Sequence, residues 1–303
     1  MSCQYTEELT AKSCNSMVGV GLRHQHYKEA LLGASSIDFV EVHAENFFAE
    51  GGILPALLSD ITQIYPVSLH STSMGLGSAV GINREYLQRL TRLSQQIHPI
   101  LISDHACFTW SHFNGKSVHA GDLLPIEFTS ASLQTMAGNI DKVQQHLGRQ
   151  ILVENLSAYI EFPHSQISET DFLSELVNKT QCGLLLDLNN LLVNAHNFSD
   201  QSAIFNAQQW INQIPLAAIG EIHLAGYTPA INGELIIDDH SKPVSTECWE
   251  LYRSTLRLTG PVTTLIEWDN DLPSWRTLLT QAEQAKSIMQ REILQQKELT
   301  HAI

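Results

Sequence analysis

The chain has 303 residues, 43% hydrophobic and 16% charged, with 17 basic against 32 acidic side chains and a formal net charge of −15. That composition can bury a large core and excludes disorder. Lys and Arg are scattered singly, with no basic stripe to neutralise phosphates, so DNA and RNA are disfavoured as partners.

The first sixteen residues lack the charged and apolar regions of a signal peptide and read as a tail (1–16) before one domain over 17–296. No apolar run approaches the roughly 18 residues of a membrane helix. The five Cys (Cys3, Cys14, Cys107, Cys182, Cys248) are irregularly spaced and contain no Cys-x-x-Cys. They form no disulfide framework and suit a reducing cytoplasm, which is the expected compartment.

Eight short β-rich runs follow in order: MVGVGL (17–22), DFVEVHAENF (38–47), VSLHST (67–72), ILISDHACF (100–108), ILVENL (151–156), CGLLLDLNN (182–190), AIGEIHLAG (218–226) and TTLIEWDN (263–270). Several are apolar almost throughout, as in parallel strands buried on both faces. Helical spacing lies between them. Residues 83–97 carry Tyr86, Leu87, Leu90, Leu93 and Ile97 on one face, and 129–147 opens on Thr129 and Ser130 as a cap. Segments 170–178, 203–213, 245–257 and 273–296 behave alike. GLGSAVG (75–81) lacks the Lys-Ser/Thr of a phosphate loop and reads as a flexible loop near the site. Alternating strands and helices leave a closed (β/α)8 TIM barrel or a doubly wound open sheet, and eight strands without a GxGxxG favour the barrel.

The ends of these runs are unusually polar. His43 and Glu45, His70, Asp104 and His105, Glu154 and Asn155, Asp187 and Asn190, Glu221 and His223, and Glu267 and Asp269 close or occupy seven of them. In a barrel of this kind the C-terminal strand ends meet at one face, where active sites are built. Turn or cap chemistry accounts for Asp104, Asn189 and Asp269 singly. It fails for His70, Glu154, His223 and Glu267, which are poor cap residues. Burying several carboxylates together is costly unless a multivalent cation relieves the repulsion, and imidazoles mixed with carboxylates suit Zn, Mn or Fe. Asp238-x-His240 adds two groups that an extended segment points the same way. His24 and His26 can line the mouth, His112 and His119 sit in a long loop that can act as a lid, and His196 lies where substrate contact is expected. His98, His146 and His301 read as surface residues. An oxidative metalloenzyme, a divalent-metal sugar isomerase or phosphodiesterase, and a non-catalytic binding module all remain open on these residues alone.

The stretches VGVGLR, DFVEVHAENFF, SLHSTSMGLGS, ISDHACF, LVENLSAY, LLLDLNNLLVNAHN, GEIHLAGY, DDHSKPV and LIEWD together resemble the multinuclear non-heme iron-dependent oxidative enzymes, the family of the methanobactin-maturing iron enzyme. The resemblance runs from about residue 17 to 290. It implies a xylose isomerase-like TIM barrel related to endonuclease IV, two or three iron ions (Fe2+/Fe3+), and dioxygen as co-substrate. It also implies a ribosomally made precursor peptide modified at Cys or another residue, and a partner protein that presents the peptide. By position it makes His70, His105 and Glu154 ligands of one metal, with Glu154 bridging to a second held by Asp187, His223 and Glu267. Asn190, Asp238 and His240 hold a third, loosely, because Asn190 stands where the related endonuclease fold usually has histidine. Glu45, Asn46 and Asp269 stand behind the ligands, and Asp104, Asn155 and His196 are the candidate catalytic groups.

Overall fold

All eight runs are strands in the computed structural model, which describes residues 16–33, 36–199, 201–229 and 235–301. They are β1 (Val18–Gly21), β2 (Phe39–His43), β3 (Val67–His70), β4 (Ile102–His105), then, after a hairpin of β5 (Phe108–Phe113) and β6 (Lys116–Leu124), β7 (Leu152–Glu154), β8 (Gly183–Asp187), β9 (Ile219–Leu224) and β10 (Thr263–Ile266). The order β1-β10-β9-β8-β7-β4-β3-β2 closes into a barrel. This is the expected (β/α)8 architecture rather than the open sheet. Among the described residues no helix is long and apolar enough to cross a membrane. Cys107, Cys182 and Cys248 are free and buried, while Cys3, Cys14 and most of the expected tail lie outside the described residues.

The helices start where short polar side chains meet exposed backbone N–H groups. Asn83 accepts from the backbone of Glu85 and Tyr86 to open Arg84–Ile97. Thr129 and Ser132 cap Ser130–Leu147 reciprocally. Ser168 opens Glu169–Thr180, and Ser245 opens Thr246–Thr259. His98, read as a surface residue, ends its helix in the left-handed region with φ 47°.

Three segments differ from expectation. The long loop after β4 is the antiparallel hairpin β5–β6, turned by Asn114-Gly115 at φ 50° and 72°. Asn-Gly is the strongest short hairpin signal, because both central residues of such a turn need positive φ. Ile53–Thr62 is a helix with Pro55 in its first turn, where the missing N–H costs nothing. Leu188–Phe198 is a helix that begins directly at the end of β8.

The chain gathers into two compact units. One comprises Glu41–Leu185 and Asn212–Ala218. In it β3, β4, β7 and β8 pair in parallel, with His105 opposite Glu154 and His70 opposite Ser103. The stretch 75–81, expected to be flexible, is pinned there. Ser78 Oγ accepts from the backbone of Thr109 and Trp110, and Asn139 Nδ2 donates to Leu76 O at 2.8 Å and Ser78 O at 3.1 Å. The other unit comprises the described residues of Met1–Val40, Leu186–Ile211 and Ile219–Ile303. In it β1, β10 and β9 pair in parallel, and Leu265 lies opposite His223. Gly19 is required, since a Cβ there would lie 2.6 Å from the Phe39 ring and carbonyl.

Candidate metal sites

In the unit holding β3, β4 and β7, successive strand ends deliver His70, His105 and Glu154. Parallel register sets them side by side. His70 Nε2 and His105 Nε2 lie 3.4 and 3.3 Å from the same oxygen, Glu154 Oε2. The two rings meet edge-on, 4.7 Å apart. One ligand-type atom from each of the three residues falls within 4.8 Å of the others, and all three are buried. Side chains alternate along a strand, so Ser103 shares the face of His105 and Asp104 takes the other. Ser103 Oγ lies 2.8 Å from His70 Nδ1. A His70 that donates from Nδ1 to that oxygen presents the Nε2 lone pair towards Glu154, the arrangement expected of a metal-ligating imidazole.

Asp104 is fully buried and accepts from Met74 N at 2.9 Å and His105 N at 2.6 Å, so it anchors the turn after His70. Burial raises its carboxyl, and contacts with His105 partly offset this. Glu45 accepts from Thr72 N at 2.8 Å and Tyr86 Oη at 2.6 Å, and burial raises its carboxyl too. Asn155 is buried directly after Glu154, whereas Asn46 is exposed. His43, noted at the end of the second run, brings its ring to 6.0 Å from His70. Glu41 escaped the sequence reading: it is fully buried and accepts from Ser68 Oγ at 3.0 Å.

In the other unit, Asp187 closes β8, His223 is the last residue but one of β9, and Glu267 directly follows β10. These three also offer ligand-type atoms within 4.8 Å of one another. Asp187 has two roles. Its Oδ1 accepts from Asn190 N at 2.6 Å, capping Leu188–Phe198, while Oδ2 lies 3.8 Å from His240 Nε2. The cap role therefore belongs to Asp187 and not to Asn189. Asn189 is fully buried and donates to Asp238 Oδ1 at 2.8 Å, and its own Oδ1 has no hydrogen-bond partner. Asn190 is buried on the same helix turn. His223 Nδ1 lies 3.0 Å from Glu267 Oε2, and fully buried Glu221 sits 4.0 Å from His223 Nε2.

Asp238-x-His240 joins this group. His240 Nε2 is 2.8 Å from Asp238 Oδ1, and its Nδ1 is 3.2 Å from both Glu267 Oε2 and Asp269 Oδ2. His240 holds a left-handed backbone, φ 42°, uncommon outside glycine. Asp269 N and Asn270 N both donate to its carbonyl. Gly226 allows the neighbouring turn to lie close, because a Cβ there would sit 2.7 Å from Lys242 O. Thr228 closes the segment by donating through its backbone at 3.1 Å and its hydroxyl at 2.6 Å to the Asp239 carboxylate.

The electrostatics of this group show crowded acids. Burial, with the charges of Asp238 and Glu267, pushes the Asp187 carboxyl up to about 7 against the pull of His240 and His223. Burial opposes ionisation of His240 too, yet Asp238 and Glu267 hold its imidazolium well above the ordinary range. Glu267 is buried as well, but His223 and His240 keep it well below. Burial and Glu267 work to raise Asp269, while Arg23 and His240 bring it down to about 2. Arg23, which the sequence reading passed over, donates from Nε and Nη2 to Asp269 Oδ1 at 3.0 and 2.6 Å. A multivalent cation would relieve this crowding, so the donors fit a metal.

Among the described residues, none of the other candidate histidines belongs to a ligand-type cluster. His196 is exposed, 2.8 Å from Glu247 Oε2, with Tyr227 beside it. Burial and Glu247 push the Tyr227 hydroxyl up to about 12. His24 is exposed, while His26 is buried with Nε2 2.9 Å from Pro273 O. His112 and His119 are exposed on the β5–β6 hairpin.

Comparison with known proteins adds a family. A sequence model of the RiPP precursor modification enzymes MbnB/TglH/ChrH matches residues 17–290. A UPF0276 protein of Chromobacterium violaceum is 44% identical over 272 residues, 89% of this chain and 94% of that protein. A UPF0276 protein of Rhizobium meliloti is 39% identical over 285 residues, 93% of this chain and 89% of its own length. In structure the chain is similar to D-psicose 3-epimerase of Clostridium cellulolyticum (TM-score 0.57, 11% identity, 91% of this chain and 99% of that one). It is also similar to endonuclease IV of Thermus thermophilus (TM-score 0.55, 12% identity, 91% and 99%). At such identities these two likenesses show the barrel alone.

Proposed function

The chain belongs to the MbnB/TglH/ChrH family of RiPP precursor modification enzymes, and from that premise we propose that it uses two or three iron ions and dioxygen to oxidise a cysteine of a ribosomally made precursor peptide. The observation that carries this reading is the set of buried imidazoles and carboxylates at strand ends, typified by His70 and His105 facing one oxygen of Glu154. His70, His105 and Glu154 would hold one iron. Asp187, His223 and Glu267, with Asp238, His240 and Asn190, would hold the rest. Iron held by such ligands would supply a redox couple and open coordination positions.

The protein groups have separate tasks in this reading. Ser103 fixes the tautomer of His70, and Asp104 fixes the turn that follows it. Asn155 supports the Glu154 strand end. His196, exposed and 2.8 Å from Glu247 Oε2, would contact the peptide in this reading. A partner protein that presents the peptide completes the proposal.

The test is metal replacement. Protein purified without oxygen should contain iron, lose peptide modification on chelation, and regain it with Fe(II) but not with Zn(II). Oxygen uptake should accompany modification of the peptide. Full activity of a zinc-loaded, oxygen-free enzyme would overturn the reading.

A further inference from the structure

We propose that Arg23 is a positioning residue that works through Asp269 to aim His240, so that a three-residue relay sets the metal-facing nitrogen of this ligand. The inference rests on the metal reading of the Asp187–His223–His240–Glu267 group given above.

Arg23 follows β1 and is only 8% exposed, folded back towards the strand end. Gly21 leaves it room, because a Cβ there would lie 3.1 Å from Arg23 Nη1. Two guanidinium nitrogens grip Asp269 Oδ1, at 3.0 and 2.6 Å, and Nη2 also lies 3.5 Å from Glu267 Oε1. The opposite oxygens of these two carboxylates, Asp269 Oδ2 and Glu267 Oε2, both face His240 Nδ1 at 3.2 Å. Arg23 therefore holds the far side of each carboxylate whose near side meets the imidazole. A histidine that donates from Nδ1 to a carboxylate presents Nε2 as its lone-pair nitrogen. Here that nitrogen faces Asp238 and Asp187. The backbone repeats the link, since Asp269 N donates to His240 O at 2.9 Å while His240 sits at φ 42°. Stability alone is a poor account of a buried Arg–carboxylate pair, because desolvation offsets much of its attraction. A fork that orients a ligand accounts for the geometry.

Co(II), whose visible absorption reports its ligands, is the probe. Apo protein of full length is titrated anaerobically as wild type, Arg23→Gln, Arg23→Lys, Asp269→Asn and the Arg23→Gln/Asp269→Asn double variant, and each apo form is melted separately. Arg23→Gln and Asp269→Asn should each weaken one class of Co(II) site by about 10- to 100-fold and alter its absorption, leaving the other class intact. The double variant should bind no more weakly than either single one, and Arg23→Lys should recover only part, since it keeps the charge but not the fork. If Arg23→Gln and Arg23→Lys melt lower but titrate with wild-type affinity and absorption, Arg23 is structural and the relay is wrong. Additive losses in the double variant would also overturn it. If Arg23→Gln fails to fold, Arg23→Lys and Asp269→Asn carry the same test. Wild-type protein that binds neither Co(II) nor Fe(II) would instead sink the metal reading beneath it.

Discussion

The two candidate ligand groups are built by different means. His70, His105 and Glu154 are placed by strand register alone: neighbouring parallel strands end together, and one serine sets one imidazole. The group around His240 draws on strand ends, a helix cap and two turns, and it crowds Asp187, Asp238, Glu267 and Asp269 around two imidazoles and one guanidinium. The first is held by hydrogen-bonded backbone, which deforms little. The second is held by a balance of charges, which one substitution can upset. Rigid placement suits a tightly held ion, and charge balance suits an ion whose hold depends on its surroundings.

That contrast can be broken by experiment. Glu154→Ala removes the oxygen both imidazoles face, so peptide modification should fall by more than about 100-fold, beyond the cost of losing an outer partner. Mass spectrometry of the peptide, with metal analysis, measures it. His240→Ala should remove only part of the metal and leave the His70–His105 ion in place; equal loss of all metal in both variants would erase the distinction. Ser103→Ala keeps every ligand and should weaken metal binding by about 10-fold, read by competition with a chelator. Asn189→Ala removes the donor to Asp238 and should cost about 1 kcal/mol, seen as a small drop in melting temperature with metal content retained.

The strands were legible because burial on both faces writes itself as short apolar runs, and the ligand candidates because His and Glu are poor turn formers. What stayed hidden depended on partners remote in sequence. Arg23 looked like one scattered base until its fork met Asp269, 246 residues away. Ser103 could have been found from alternation, since it shares a face with His105. Asn189 looked like turn chemistry because it directly follows a β-rich run, although Leu188, Leu191, Leu192 and Ala195 already stand at i, i+3, i+4 and i+7 of the helix Leu188–Phe198. The β5–β6 hairpin was announced by Asn114-Gly115, a signal present in the chain and read as loop.

The clasp between Thr228 and Asp239 fixes both ends of the stretch between them, eleven positions apart, next to the pair Asp238 and His240. Ile236 is fastened as well, by two hydrogen bonds with the Asn197 side chain, so the described approach to Asp238 and His240 is tied at more than one point. Asp238 and His240 are thus held in place by the backbone and side chains around them.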